Sequence, residues 1–304
     1  MSEHANASSN ATTKYVFENA DAPRRVMILG AGDKPQVVSE LDQVRRVISE
    51  RDEIAACDMT FTEDLANVEA DLAVVLGGDG SILRAARQMG HVQHPTLGIN
   101  LGKLGFLAHL SPEEFRRQWA SVRLGEFQVR HCLMLECVVE RDGTELARRL
   151  ALNEAAVRTG KDFQLLDVHL YVDAERATAY SCDGLILSTP IGSTAHSLSA
   201  GGPILRNDLQ AIVISPISPH TLTVRPVVDS AERVYELVVP RPAEGTAVIV
   251  DGQVLAHLKS GDRVRVSKAK PEFQMIVTPG HSYYQTLRHK LGWSGRPNYQ
   301  SEDG

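Results

Sequence analysis

The chain has 304 residues, about two domains' worth at a typical ~150 residues each, and its 43% hydrophobic and 23% charged residues are ordinary globular values that exclude a disordered, collagen-like or membrane-spanning protein. The formal charge of −6 leaves no global positive field to draw it to nucleic acid or to an anionic membrane. Four scattered cysteines (Cys57, Cys132, Cys137, Cys182) form neither a disulfide framework nor a zinc knuckle, so free thiols in a reducing cytosol are expected.

The first residues lack a basic region followed by an apolar stretch, so no secretory signal is read there, and a cytoplasmic location is expected. Outside secretion, the glycosylation patterns Asn6-Ala7-Ser8 and Asn10-Ala11-Thr12 carry no meaning. Residues 1–23, rich in Ser, Asn, Ala and Thr, read as a disordered tail. Arg25 to Gly30 is an apolar strand ending in a turn, and Gln36 to about Arg51 carries Val37, Val38, Leu41, Val44, Val47 and Ile48 at helical spacing. Asp71 to Leu76 is a continuous apolar run closed by glycines, the pattern of a strand buried on both faces of a parallel sheet. A helix from Ser81, near its start, to Gly90, its stop, follows; then come a third buried strand at Pro95–Ile99 and a helix to about Val122, opened by Ser111, Pro112 and Glu114 as a capping box. The alternation marks an α/β domain with a Rossmann-like parallel sheet.

After Glu126 the period changes to two, with Phe127, Val129, His131, Leu133, Leu135, Cys137 and Val139 alternating against more polar neighbours. Short strands at 167–172, 185–187, 211–214, 234–239, 247–250 and 264–266, separated by Gly, Pro and Asp turns, predict an all-β, sandwich-like second domain. A last strand at Phe273–Val277 and an amphipathic stretch from His281 to Leu291 are expected to return to the α/β domain. The division expected is therefore 24–126 with 271–293, then 127–270, and a loose tail at 294–304.

Two glycine-rich turns compete for a phosphate. Gly30-Ala31-Gly32-Asp33-Lys34-Pro35 begins like a dinucleotide fingerprint but has Pro35 where its third glycine belongs. Gly77-Gly78-Asp79-Gly80-Ser81 follows a buried strand and opens directly into a helix, whose free N–H groups suit an anion. Asp79 is electrostatically out of place there unless it accepts a proton from an attacking hydroxyl or holds Mg²⁺; the plainer alternative is a helix cap. Asn153-Glu154 alone also reads as a solvated strand end. Cys132 and Cys137, five apart on one strand, point to opposite faces and share no metal.

Gly77-Gly78-Asp79-Gly80 resembles the shared turn of the superfamily of NAD kinases, diacylglycerol and sphingosine kinases and phosphofructokinases. The stretch from Asp183 to Pro203, with Gly192-Ser193-Thr194-Ala195-His196-Ser197-Leu198-Ser199 at its centre, resembles the long fingerprint of the NAD kinases in particular. Gly98-Ile99-Asn100, Leu104-Gly105-Phe106-Leu107, Asn153-Glu154, Pro219-His220-Thr221-Leu222, Arg225-Pro226, Asp251-Gly252-Gln253 and Leu287 to Trp293 agree in order, so that the resemblance spans residues 25 to 293.

The resemblance implies transfer of the γ-phosphoryl of ATP to the 2′-hydroxyl of the adenosine ribose of NAD, with a divalent cation, Mg²⁺, as cofactor and a homodimer or homotetramer as the assembly. It makes Asp79 the general base, with Gly78 and Gly80 on the phosphate side. Asn153 and Glu154 match a pair that hydrogen-bonds NAD, Asp183 the acceptor for the adenine amino group, Thr194, Ala195, His196, Ser197, Leu198 and Ser199 the loop around the adenosine, and Arg84 and Gln253 weaker ligand positions. Three positions depart from the family pattern. His196 replaces a usual Tyr, Ile191 a usual small hydroxyl residue, and Ser181 an Arg found in some relatives. The alternatives are a lipid or other small-alcohol kinase of the superfamily and a catalytically weak NAD(P)-binding regulator.

Overall fold

The computed structural model describes residues 12–15, 17, 19, 22–103, 105–160, 165–221, 223–280 and 282–293. In chain order the first elements are β1 (Thr12–Lys14), β2 (Arg25–Gly30), α1 (Pro35–Ser49), β3 (Glu53–Asp58), β4 (Leu72–Leu76), α2 (Asp79–Met89), β5 (Thr96–Ile99), α3 (Pro112–Arg123) and β6 (Gln128–Cys132). They are followed by β7 (Leu135–Arg141), β8 (Thr144–Ala151), β9 (Glu154–Arg158), β10 (Leu166–Val172), β11 (Glu175–Cys182), β12 (Gly184–Ser188), α4 (His196–Ser199), β13 (Ala211–Ile217), β14 (Val227–Ser230), β15 (Tyr235–Val238), β16 (Ala247–Val250), β17 (Gln253–His257) and β18 (Arg263–Lys268). The chain ends with β19 (Phe273–Val277) and α5 (Tyr283–Leu291). Two compact units result: Lys14–Ala85 with Pro95–Val129 and the chain from Met275, and Arg130–Gln274 with Ala86–His94.

A seven-stranded sheet, ordered β1-β6-β19-β5-β4-β2-β3, organises the first unit. β2, β3, β4, β5 and β19 pair in parallel, and every residue of β4 is buried, which is why Leu72–Leu76 reads as an unbroken apolar run. α1 buries Val37, Val44 and Ile48, and α3 buries Phe115, Trp119 and Val122, against the same core. α3 begins at the expected capping box, Ser111 accepting from the Glu114 N–H while Glu114 accepts from the Ser111 N–H.

The second unit is a sandwich of two antiparallel six-stranded sheets, β11-β10-β15-β18-β7-β8 and β14-β13-β12-β9-β16-β17. One core takes side chains from both: Leu135, Val168 and Tyr235 from the first, Val157, Leu185 and Val248 from the second. The fold class is thus as expected, an α/β unit to which the C-terminal β19 and α5 return, and an all-β unit.

Three local expectations fail. The apolar alternation from Phe127 to Val139 is two strands in two sheets: β6 joins the parallel sheet, with Phe127 and Val129 in its core, and the chain breaks at Leu133-Met134 before β7. Alternation fixes which face is buried but not which sheet a strand joins. The region expected to be a disordered tail contributes β1, and Tyr15 stacks on Phe127 with centroids 5.1 Å apart while Arg24 lies 3.8 Å over the Phe17 ring. Two aromatics spaced by two outweigh a Ser/Asn-rich composition. α2 starts at Asp79, not at Ser81. The loose tail at 294–304 lies outside the described residues.

The α/β core contains a buried ion pair. Arg123 Nε stands 3.2 Å from Asp52 Oδ1, with the Asp52 side chain fully buried; the same carboxylate accepts from Trp119 Nε1 at 3.1 Å and from the Arg24 N–H at 2.9 Å. Removing it leaves a guanidinium and an indole N–H desolvated, so Asp52→Ala should lower the unfolding free energy by about 3 kcal/mol or more, and Asp52→Asn by less because its amide oxygen still accepts. Urea denaturation checks this; equal losses for the two variants would show that the charge does not matter.

Candidate active site

The Gly77–Gly80 turn is built from the end of β4. Gly77 adopts φ +133°, where a side chain would also run into the Ser81 hydroxyl, so glycine there is a conformational demand of the turn. Gly78 and Gly80 differ: neither has a positive φ, and a Cβ on either would meet nothing within 4 Å. Among the described residues nothing requires glycine at those two positions, and the space over them is open.

Asp79 does not cap the helix it begins. Its Oδ2 accepts from the Phe106 N–H at 2.8 Å, and its Oδ1 from the Leu107 and Ala108 N–H groups at 2.9 and 3.2 Å. Gly105 packs against the same carboxylate so closely that a Cβ there would collide with Oδ1. A carboxylate offers about four acceptor positions; three are used, and the remaining one is on Oδ2. Arg84, one turn into α2 and on the same face as Gly80 and Ser81, is half-buried, with its guanidinium 4.6 Å from the centre of the Phe61 ring.

In the β sandwich, Asn153 and Glu154 lie where the chain enters β9, beside β12, with Ser188 opposite Glu154. Asp251, in the left-handed region at φ +45° just past β16, closes this corner: its Oδ1 accepts from the Asn153 and Glu154 N–H groups at 2.8 and 3.0 Å, and its Oδ2 from the Leu152 N–H at 2.8 Å. The Thr189 N–H donates to the Asn153 carbonyl at 2.8 Å, and the Thr189 hydroxyl links the Leu152 carbonyl to the Gly192 N–H. The fingerprint loop and the Asn153-Glu154 corner are therefore one hydrogen-bonded piece.

Glu154 is buried, its Oε2 has no hydrogen-bond partner, and burial, assisted by the nearby Asp251 charge, pushes its carboxyl up to about 8. Burial likewise raises Asp251, against the pull of its three N–H donors. Farther along the loop, Thr194 donates its hydroxyl to the Ile191 carbonyl, Ser197 shares a 2.9 Å hydrogen bond with Ser215, and Ala195 to Ser199 wrap the short α4. His196 is held below the usual imidazole range by desolvation and by Arg158, which keeps it neutral at pH 7. Ile191 is buried in the protein interior. Asp183 precedes the other end of β12, where its carboxylate accepts no hydrogen bond from the described residues; five residue steps of extended strand lead from it to Ser188, roughly 17 Å. A ligand that touches both ends of β12 must be an extended one. Gln253 is exposed at the start of β17.

Asp251 is the residue whose role sequence reasoning passed over in favour of its neighbour Gln253. The signal was present: an aspartate before glycine, directly after an apolar strand, is a turn-forming acceptor. Among the described residues no group of three or more His, Cys, Asp or Glu side chains is placed to hold a metal ion.

Comparison with known proteins decides the family. Residues 18–127 match the ATP-NAD kinase N-terminal domain and residues 152–278 the ATP-NAD kinase C-terminal domain. The chain belongs to the ATP-NAD kinase family. It is 57% identical over 288 residues to an NAD kinase of Rhodopirellula baltica, covering 95% of this chain and 93% of that one, and 42% identical over 229 residues to an NAD kinase of Geobacter sulfurreducens, covering 75% and 81%. In fold it is similar to the yeast NADH kinase complexed with NADH (TM-score 0.83, 22% identity, 96% and 93% covered) and to an NAD kinase from Archaeoglobus fulgidus in complex with ATP (TM-score 0.70, 27% identity, 88% and 97% covered). The enzyme phosphorylates NAD with ATP, which closes the lipid-kinase and non-enzymatic alternatives.

The sign of the Glu154 effect on stability follows from its raised value. The unfolded chain releases this proton near 4.5, the folded enzyme near 8, so between these the folded state holds more protons and loses stability as pH rises. Glu154→Gln, neutral throughout, should melt close to the parent at pH 5 and several degrees above it at pH 8. A melting-temperature gap that does not change with pH would mean that Glu154 is ionised in the folded enzyme.

Proposed function

We propose that Asp79 is the general base of the phosphoryl transfer, acting through the free acceptor position on Oδ2. That position takes the proton of the adenosine 2′-hydroxyl of NAD as the oxygen attacks the γ-phosphorus of ATP. The bond from the γ-phosphorus to the bridging β–γ oxygen breaks, ADP leaves with its electron pair, and the proton passes from Asp79 to solvent. Supporting this reading is the fact that a carboxylate stands in a turn otherwise suited to anions, already fixed by three N–H donors and needing no reorganisation.

The backbone of Gly78 and Gly80 takes phosphate oxygens, and Arg84 adds charge to them. Asn153 and Glu154 bind NAD: the neutral Glu154 carboxyl both donates and accepts, and Asn153 supplies an amide. Asp183 accepts from the adenine amino group, the Thr194–Ser199 loop encloses the adenosine with neutral His196 against it, and Gln253 closes the edge. A divalent cation, Mg²⁺, would enter on the phosphates of ATP and would supply positive charge beside the transferred phosphoryl group, with Asp79 the carboxylate available in the turn.

The enzyme works in the cytoplasm as a homodimer or homotetramer, with neither nucleic acid nor membrane as partner. Among the described residues no helix is long and apolar enough to cross a membrane. Edge strands of the sandwich expose Leu146, Val227, Val228 and Val254, which supports assembly through that unit. Light scattering should give a multiple of 33.3 kDa at micromolar concentration, and a monomer alone would refute it.

Two kinetic tests bear on the assignments. Asp79→Asn should lower turnover by about 10²-fold or more with NAD binding retained; near-parental turnover would remove the base. Because Asn turns one acceptor towards the 106–108 N–H groups into a donor, NAD affinity must be measured alongside, by titration calorimetry. NAD carrying hypoxanthine in place of adenine presents an acceptor to Asp183 and should be used about ten-fold less efficiently, a gap that Asp183→Asn should narrow. Equal efficiency in the parent enzyme would take Asp183 out of the adenine site.

A further inference from the structure

The loop after β3 has no place in the chemistry described so far, yet it is among the most heavily tied segments of the α/β unit. Asp58, buried at the end of β3, accepts at Oδ1 from the Thr60 N–H and hydroxyl, both at 2.6 Å, and from the Phe61 N–H at 3.0 Å; at Oδ2 it accepts from the Thr62 and Glu63 N–H groups at 2.8 and 2.9 Å. Five donors on one carboxylate fix residues 60–63, including Phe61 in the left-handed region at φ +58°. The fixed loop presents two features to α2. The Phe61 ring lies under the Arg84 guanidinium, 4.6 Å away, and the Thr60 carbonyl accepts from Arg84 Nη2 at 3.4 Å.

The loop is supported from behind by the glycine turn that only half resembled a dinucleotide fingerprint. The Gly32 N–H donates to the Met59 carbonyl at 2.7 Å, and a Cβ on Gly32 would stand 3.0 Å from the Met59 Cβ. Gly30-Ala31-Gly32 is therefore small because a neighbouring loop packs on it. Arg84 Nε meanwhile is buried and has no hydrogen-bond partner, so the two loop contacts hold the guanidinium in place and leave that donor unused.

We infer that Phe61, held by Asp58 and the Gly30–Gly32 turn, is a positioning residue for nucleotide binding: it fixes the Arg84 guanidinium beside α2 for the phosphate oxygens of a nucleotide. The inference rests on the reading of Arg84 as a phosphate contact. A planar cation on an aromatic face keeps its edge donors free for an oxyanion, which an ion pair to a carboxylate would not.

The test is steady-state kinetics of the full-length enzyme with ATP and NAD varied separately, on Phe61→Ala, Phe61→Tyr, Arg84→Ala and the double variant Phe61→Ala/Arg84→Ala. Phe61→Ala should raise the KM of at least one nucleotide about fivefold with kcat little changed. Phe61→Tyr, which keeps the ring face, should restore the parental KM. In the Arg84→Ala background Phe61→Ala should add nothing, since the effect passes through that guanidinium. A purely structural role would lower the melting temperature and the active fraction while leaving both KM values, and that result overturns the inference. Additive effects in the double variant overturn it as well. If Arg84→Ala raises KM and Phe61→Ala does not, the inference falls alone; if Arg84→Ala changes neither KM, the phosphate role of Arg84 falls with it.

Discussion

A short carboxylate at or just past the end of a strand ties down each of three loops in this enzyme. Beyond β3, beyond β5 and before β9 the chain turns with backbone N–H groups that the sheets do not satisfy. Asp58, Asp79 and Asp251 meet that demand with five, three and three donor groups respectively. Aspartate suits the task because its side chain is short enough to lose little rotamer freedom and offers about four acceptor positions. Without such a staple the loops at 59–63 and 105–108 and the corner at 152–154 would have to order themselves against their own conformational entropy, about 1–2 kcal/mol per residue.

The consequence for chemistry is that rigidity and reactivity draw on the same lone pairs. Asp79 gives three acceptor positions to the loop at 106–108 and keeps one, so its orientation is set before any substrate arrives. At Glu154 the opposite choice is made: the carboxyl is buried without a partner for Oε2, and it stays protonated to about 8. Asp251 lies between these cases. It staples the backbone that carries Asn153 and Glu154, and its charge contributes to raising Glu154. The conformation of the corner and the protonation state of Glu154 are thus coupled through a single residue.

Elements buried on both faces were readable from sequence: Leu72–Leu76 as an apolar run, α3 from its capping box, and the sandwich from its short alternating segments. Edge strands were not. β1, β3, β8, β9, β11, β14 and β17 were missed; all but the buried β9 are sheet edges, where periodicity is weak. At the site, the residue types pointed to Asp79 and to the fingerprint loop, but composition and spacing carry no record of partners far along the chain. That Asp79 binds a loop 27 to 29 residues away, and that the Gly32 N–H donates to the Met59 carbonyl, are contacts made only in three dimensions.

The net charge of −6 poses a question for an enzyme that brings two polyphosphates together, and the α/β unit answers it locally. The Asp58 loop carries Phe61 with Arg84 on its ring, and the Asp79 loop carries Phe106 with Lys290, from α5, 5.5 Å from its ring. In each case a carboxylate fixes the backbone and is satisfied by N–H groups, while an aromatic ring, which bears no formal charge, fixes the cation. Had the carboxylates paired with the cations directly, the ion pairs would have cancelled the positive potential that phosphate oxygens need. Dividing the two tasks lets an acidic chain hold cations on the two loops that its carboxylates fix, and it gives the return of α5 to this unit a consequence beyond packing: it places Lys290 on the Phe106 ring.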